Sequence, residues 1–384
     1  MAETSRAYFL GGTLVLSGVS HQATPPLPFR WVNAKWRCPA VHYRTIRPWL
    51  AKQDIRNTIP RWHELSLVLY DEREPHRYQR EALAAWLASG RWGSVVLPTG
   101  AGKTFLALQA MAQTSASTLV IVPTVDLLHQ WYARLENAFR QPIGVWYGLE
   151  KQAESITVTT YPSAWAHAEA LGNRFKLIIF DEIHHLPAPS WHEIALMYAA
   201  PCRMGLTATY PEPNDLWRQS ETDPVVLLDA LVGPVVYTKR IDDLSGEQLA
   251  DYRTQRIRVD LTEEERAAYE AAHATYIGYV REARLRESYG PGWWDEFTRR
   301  SARDAKARQA KVAEIKLKEI VHQAQGKLVV LNHLLREHRD QQMLIFTAHN
   351  RFAYQVARRH LVPIITYQTT AAERKAILDK FRVG

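Results

Sequence analysis

Leu97-Pro98-Thr99-Gly100-Ala101-Gly102-Lys103-Thr104 is the stretch that decides how this chain folds. It follows an apolar run, Ser94–Leu97, and opens a helical pattern through Phe105, Leu106 and Leu108. A glycine-rich turn between a buried strand and a helix has the form of a phosphate-binding loop. Its glycines let backbone N–H groups curl round phosphates, and the helix N-terminus adds positive potential. Lys103 would reach the β- and γ-phosphates of a nucleotide, and the Thr104 hydroxyl would ligate Mg²⁺. Leu97 stands where the general pattern has glycine, so the loop takes the Pro-Thr-Gly-x-Gly-Lys-Thr form.

Working outward, short apolar runs alternate with helix-length segments: Thr118–Val122, Ile156–Thr160, Leu177–Phe180 and Arg203–Leu206. Near-continuous apolar strands spaced in this way predict a parallel sheet covered on both faces. The run Leu177–Phe180 leads into Asp181-Glu182-Ile183-His184, with Asp181 placed 78 residues after Lys103. Two carboxylates at the end of a buried strand are costly unless they hold a cation or face a cleft. Taken alone the pair reads as a helix N-cap with its first-turn acid. Behind a phosphate loop it reads as catalytic: Asp181 binding Mg²⁺ through water, Glu182 orienting and polarising the attacking water. His184-His185 lacks the further Cys or His that would complete a metal site. Arg203 to Thr209 closes the lobe with Thr207 and Thr209 at a strand end.

Upstream, Ala7 to Val19 reads as a hairpin turning at Gly11-Gly12 rather than as a secretion signal. Ser66–Tyr70 reads as a strand. From Tyr78 a helix places Leu83, Trp86 and Leu87 on one face and stops at Gly90. Downstream, Ile257–Leu261, Met343–Thr347 and Ile364–Tyr367 read as strands of a second lobe. Thr262 with Glu265, and Thr370 with Glu373, are capping boxes opening helices.

The 384 residues carry a net charge of +8, and 46% of them are hydrophobic, which suits two or three folded domains. Eight of the cations (Arg30, Lys35, Arg37, Arg44, Arg47, Lys52, Arg56 and Arg61) lie between Gln22 and Trp62, against the single anion Asp54. Phe29, Trp31, Trp36, Tyr43, Trp49 and Trp62 are interleaved with them. That mixture suits a nucleic-acid strand, with phosphates on cations and bases on rings, and it equally suits an aromatic core under a solvated basic face. A second basic stretch, Arg281 to Lys327, is helical in pattern and broken at Tyr289-Gly290-Pro291-Gly292; on charge alone it is solvated helix surface. Two cysteines, Cys38 and Cys202, exclude a disulfide scaffold and a thiolate zinc cluster. No apolar run is long enough to span a membrane.

Lys103-Thr104, Asp181-Glu182-Ile183-His184 and Thr207-Ala208-Thr209, in this order and spacing, resemble motifs I, II and III of superfamily 2 helicases. The closest resemblance is to the XPB branch in its short archaeal and bacterial form, over about residues 65 to 384. Arg77-Tyr78-Gln79 is similar to the adenine-sensing motif. Ile121-Val122-Pro123-Thr124 through Gln130-Trp131 is similar to motif Ia, and Thr159-Thr160-Tyr161 with Ser163-Ala164 to the next strand-contacting motif. His184-His185-Leu186-Pro187 and Leu344-Ile345-Phe346-Thr347-Ala348-His349-Asn350 are also XPB-like.

The resemblance implies an α/β fold with a RecA-like parallel-sheet lobe carrying the P-loop at 66–245. It also implies a small N-terminal α+β DNA-recognition domain at 1–65 and an incomplete second RecA-like lobe at 246–384, with a basic helical thumb at about 265–327. It further implies ATP and Mg²⁺ as cofactors, with ATP between the lobes, held by Arg77, Gln79, Pro98, Thr99, Gly100, Ala101, Gly102, Lys103 and Thr104. The metal falls to Thr104 and Asp181, catalysis to Lys103, Asp181 and Glu182, and coupling to His184, Thr207 and Thr209. DNA is the expected partner, touched by Pro123, Thr124, Gln130, Thr160, Tyr161 and Thr347 in 3′ to 5′ movement. The same resemblance implies nucleotide excision repair beside a nuclease partner, in a prokaryotic cytoplasm.

Two features depart from the family. Tyr210-Pro211-Glu212-Pro213-Asn214-Asp215 stands where its Arg-Glu-Asp motif is expected, and motifs V and VI, with their arginine fingers, are not seen before Gly384. The alternative expectation is therefore a nucleotide-responsive DNA-binding protein with little turnover. A restriction-type motor is the lesser rival, because no Pro-Asp…Glu-x-Lys nuclease cluster is present.

Overall fold

Gly11 and Gly12, both at positive φ, turn the chain between β1 (Arg6–Leu10) and β2 (Thr13–Ser17), which pair antiparallel as expected. With β3 (Arg30–Val32), β4 (Lys35–Pro39) and β5 (Arg56–Asn57) they form a sheet of order β3-β4-β2-β1-β5. Helix Tyr43–Leu50 packs on it through Tyr43, Ile46 and Leu50. Phe29 and Tyr43 are buried, and Trp36, Trp49 and Trp62 pack on the same core. The aromatic-core reading therefore accounts for these rings, while Arg30, Lys35, Arg47, Lys52, Arg56 and Arg61 are exposed. Arg44 behaves differently: its guanidinium donates to Gly90 O at 2.8 Å and Pro201 O at 2.9 Å, pinning this sheet's helix to the next layer.

The computed structural model describes residues 5–26, 28–188, 191–211, 223–244 and 253–383. The chain divides into two compact units, Met1–Tyr252 and Arg253–Gly384. The first holds the parallel sheet that the apolar runs predict. Its strands are β6 (Trp92–Val96), β7 (Thr118–Val122), β8 (Ile143–Tyr147), β9 (Glu150–Gln152), β10 (Ile156–Thr160), β11 (Leu177–Asp181), β12 (Cys202–Thr207) and β13 (Val235–Thr238). Their order is β13-β6-β12-β11-β7-β10-β8-β9, parallel throughout except for the β8–β9 hairpin. The strands β7, β10 and β11 are buried at every residue, which suits their content of apolar and β-branched side chains. Helices 103–114 and 125–139 cover one face with Leu106, Met111, Leu128 and Leu135; Tyr161, Leu171, Ile194 and Leu228 cover the other.

Arg203, on β12, is fully buried, and among the described residues no carboxylate pairs with it. Its guanidinium donates to Ala195 O (2.8 Å), Leu231 O (2.6 Å), Tyr198 O (2.6 Å) and Ala200 O (3.4 Å). Ala195 and Leu231 belong to helices His192–Met197 and Pro224–Leu231, so one cation serves carbonyls near two helix C-termini. Burial pushes this guanidinium down to about 9, which leaves it charged at neutral pH.

Ser66–Tyr70 is not a strand. Leu65 N and Tyr70 N donate to Ser115 O and Ala138 O at the ends of two helices, so the segment crosses the lobe without a strand beside it. Both cysteines are buried and free, and burial pushes the Cys38 thiol up to about 12.

The second unit is helical. Thr262 and Glu265 form the expected capping box, opening helix Glu263–Glu282, which packs beside helix Ala305–Gln323 around Ala272, Ala313 and Leu317. Between them, Leu285–Tyr289, the turn Gly290–Gly292 and Trp293–Arg303 close on Val280, Leu285, Phe297 and Ala310. Glu314 accepts from Lys311 (3.1 Å) and Lys318 (2.5 Å), so part of this basic stretch is internal ion pairing. Helices Gln325–Glu337, Asn350–His360 and Ala371–Val383 follow, and Thr370 Oγ1 accepts from Glu373 N at 3.3 Å. Ile257–Leu261, Met343–Thr347 and Ile364–Tyr367 are not strands: among the described residues no neighbouring chain offers them a hydrogen-bond ladder, and a parallel strand does not exist alone. No helix is long and apolar enough to cross a membrane among the described residues.

Candidate active site

Five adjacent parallel strands, taken in spatial order β6-β12-β11-β7-β10, each end in one of the motifs singled out from the sequence. After β6 comes the glycine loop, after β12 Thr207 and Thr209, and after β11 Asp181, Glu182 and His184. Pro123 and Thr124 follow β7; Thr160 and Tyr161 close β10. The C-terminal edge of a parallel sheet is where open α/β folds bind ligands.

The loop geometry begins with Leu97 N donating to Thr207 O at 3.0 Å, which splices the loop to β12. Pro98 O then accepts from Ala101 N at 3.2 Å. Gly102 sits at φ +75°, and a Cβ there would lie 2.5 Å from Gln79 Nε2, so a side chain is barred both by the backbone and by its neighbour. Lys103 opens helix Lys103–Thr114 and bends back over the loop, its Nζ donating to Leu97 O at 3.2 Å and Pro98 O at 3.4 Å. Burial lowers the Lys103 ammonium below the ordinary lysine range, against the opposing pull of Glu182 and Asp181. Phosphate oxygens brought to this ammonium would reverse that desolvation. The loop opens on a cleft of ≈ 700 Å³ lined by Gly100, Lys103, Thr104, Phe105, Arg73 and Arg134.

The acids stand one strand further. Asp181 is buried; its Oδ2 accepts from Trp131 Nε1 at 2.7 Å and its Oδ1 from Glu182 N at 3.1 Å. Burial raises its carboxyl above the usual carboxylate range, while the indole bond pulls it down. Glu182 occupies the left-handed region at φ +49°, an uncommon conformation for this residue type that turns the chain sharply off β11. Glu182 Oε2 lies 3.4 Å from His184 Nδ1 and accepts from Thr207 Oγ1 at 3.4 Å; His184 Nδ1 and Thr207 Oγ1 are 2.9 Å apart. Thr209 N donates to Thr207 Oγ1 at 3.1 Å. The residues expected to couple therefore form one chain of contacts from the acid pair to β12, whose Thr207 O is bonded to Leu97 N of the loop.

Other expected residues are placed differently. Gln79 is buried, its Nε2 donating to Ala101 O (3.1 Å) and its Oε1 accepting from His76 N (2.9 Å), so its amide grips the loop rather than facing an open adenine edge. Arg77 is 87% exposed and pairs with Glu81. Thr124 is exposed and caps helix Val125–Phe139 by accepting from Leu127 N; Gln130 is exposed and Pro123 half-buried. Thr160 and Tyr161 are buried, which removes them from any open DNA-facing surface. Tyr161 Oη instead donates to Asp181 O at 3.0 Å, holding β11 from beneath, because a ring following a buried strand finds the core before it finds solvent. Thr347 is half-buried in the second unit, where its Oγ1 donates to His349 O. Glu212 to Asp215, in the stretch that replaces the Arg-Glu-Asp motif, lie outside the described residues. No group of three or more His, Cys, Asp or Glu side chains is placed to hold a metal ion among the described residues. A cation here would rely on the Thr104 hydroxyl, Asp181 and phosphate oxygens, the donor set of a magnesium–nucleotide site.

A family profile described as Type III restriction enzyme, res subunit, matches residues 72–212, the span that holds the loop, the acids and Thr207. Over 349 residues the chain is 37% identical to the DNA 3′-5′ translocase XPB2 of Sulfurisphaera tokodaii, covering 90% of this chain and 76% of that protein. The chain belongs to the XPB family. Another relative, the DNA 3′-5′ helicase XPB of Mycobacterium tuberculosis, is 28% identical over 80% of this chain, which spans 49% of that protein's length. The general transcription and DNA repair factor IIH helicase/translocase subunit XPB2 of Arabidopsis thaliana is 26% identical over 62% of this chain, which spans 32% of its length.

Sequence reasoning passed over two XPB-family residues here. Trp131 was read as part of a strand-contacting motif, yet it is the donor on Asp181. Arg134 drew no attention, yet its guanidinium lies on the Thr104 hydroxyl. Nothing local announces either contact, because each joins residues at least 30 positions apart.

Proposed function

We propose that this chain is an ATP-driven DNA translocase of the XPB type, moving 3′ to 5′ on DNA. The observation that carries the reading is the run of five parallel strands whose ends present loop, coupling threonines, acids and an exposed motif Ia-like turn in that spatial order. Lys103 and the loop N–H groups would hold the phosphates, and Thr104 with Asp181 would hold Mg²⁺, which would supply charge neutralisation to the transferring phosphoryl group. Glu182, turned out of the strand, orients water and takes its proton. His184 and Thr207 relay the state of the acid pair to β12 and, through Leu97, to the loop. DNA contact falls to the exposed Thr124 and Gln130 and to the basic face of residues 1–65; 66–245 form the motor lobe, and 246–384 a second lobe with a helical thumb. Nucleotide excision repair beside a nuclease partner belongs to the same proposal.

Hydrolysis of ATP with and without single-stranded DNA, beside Lys103→Ala, tests it. Turnover stimulated by DNA and lost in the variant is the expected result. ATP binding that shifts DNA affinity with no turnover would replace the motor by a nucleotide-responsive DNA-binding protein.

A further inference from the structure

Both oxygen-bearing side chains offered to a metal are already held by donors from a single helix. On Val125–Phe139, Trp131 Nε1 donates to Asp181 Oδ2 at 2.7 Å, and Arg134 Nη1 donates to Thr104 Oγ1 at 2.6 Å. Positions three apart share a helix face, so one face serves both. The two donors are not equivalent toward a cation. Trp131 is neutral and buried, and Asp181 keeps lone pairs to share with a metal or its water. Arg134 carries a full positive charge and occupies the hydroxyl at a distance short for an N–H···O bond. A divalent ion brought to that oxygen would meet a like charge at contact range. Arg134 is exposed and lines the same cleft as Lys103, so its guanidinium is free to leave the hydroxyl without disturbing the core.

We infer that Arg134 is a latch on Thr104: its guanidinium holds the hydroxyl that the nucleotide's metal would use, and metal–nucleotide binding must displace it. It is a positioning residue, acting on the site through the threonine. The inference rests on the proposed nucleotide site and adds to it a competition between a side chain and the ion. The helix that carries the latch also carries Thr124 at its N-cap and the exposed Gln130, so displacement of Arg134 would act on the element assigned to DNA.

The test is binding of a fluorescent ATP analogue to the 384-residue chain, titrated with MgCl₂ at fixed nucleotide and repeated in EDTA, for wild type, Arg134→Gln and Arg134→Lys. Arg134→Gln should lower the Mg²⁺ midpoint roughly fivefold, the scale of one charge-assisted hydrogen bond at an exposed site, without tightening nucleotide binding in EDTA. Arg134→Lys, which keeps the charge, should return the midpoint toward wild type. An unchanged midpoint in Arg134→Gln overturns the latch. Weaker binding at every Mg²⁺ concentration with the same midpoint also overturns it, and makes Arg134 a phosphate ligand. Absence of nucleotide binding in wild type is a separate result, which removes the site itself and the latch with it.

Discussion

The two units build order in different ways. In the first, β7, β10 and β11 are buried at every residue, and the buried Arg203 guanidinium is held by four carbonyls. In the second, order comes from helix pairs, caps and surface ion pairs, and Phe346 and Tyr367 stand 91% and 80% exposed. Long-range burial protects what it encloses, whereas local helical order frays from its ends. The candidate site sits at the edge of the more deeply buried sheet, which suits a site that depends on fixed distances.

The largest effect that would sharpen the contrast is confined to the sheet edge. Glu182→Gln should retain ATP binding and lower turnover by about 10²–10⁴-fold, the range for losing a positioned base; retained turnover would take Glu182 out of the chemistry. Next, Arg203→Met strips four buried carbonyls of their donor and should cost about 3 kcal/mol. Amide exchange should then quicken in β11 and β12 but not in helix Glu263–Glu282; equal quickening in both would show that the two units unfold as one. A smaller change probes the other side: Thr262→Ala removes one cap and should cost about 1 kcal/mol, read as faster exchange in the first turn of that helix alone.

The smallest expected effect is a pH shift. Burial raises the Asp181 carboxyl, so as pH falls it takes up its proton before an ordinary carboxylate does. Metal-dependent nucleotide binding should therefore weaken at a pH above the usual carboxylate range and recover as pH rises. Asp181→Asn should abolish this dependence. A profile that breaks only within the usual carboxylate range would mean that the Trp131 bond outweighs burial.

How much was legible follows from the range of each interaction. The five strands that carry motifs were readable because a parallel strand buried on both faces is rich in apolar and β-branched residues, even where Ser94, Thr157 or Arg203 interrupts it. The strands β8, β9 and β13 leave a weaker signature: β9 and β13 are the sheet edges, β9 exposed throughout and β13 exposed at its ends, and β8 runs out to a half-buried Trp146 and an exposed Tyr147. Ser66–Tyr70, Met343–Thr347 and Ile364–Tyr367 were read as strands from composition, but composition measures fitness for a ladder and does not supply the neighbour.

The sequence itself determined that a glycine turn opens helix Lys103–Thr114, that an acid pair ends β11 and that Thr262 caps its helix, because each is a local device spanning a few residues. Only the tertiary structure decided that Tyr161 is buried against β11, that Gln79 grips the loop, that Arg203 is a buried clamp, and that Trp131 and Arg134 donate to Asp181 and Thr104. Those outcomes depend on which surfaces meet across the sheet, and a contact between residues 20 to 50 positions apart has no signature in either residue's own neighbourhood.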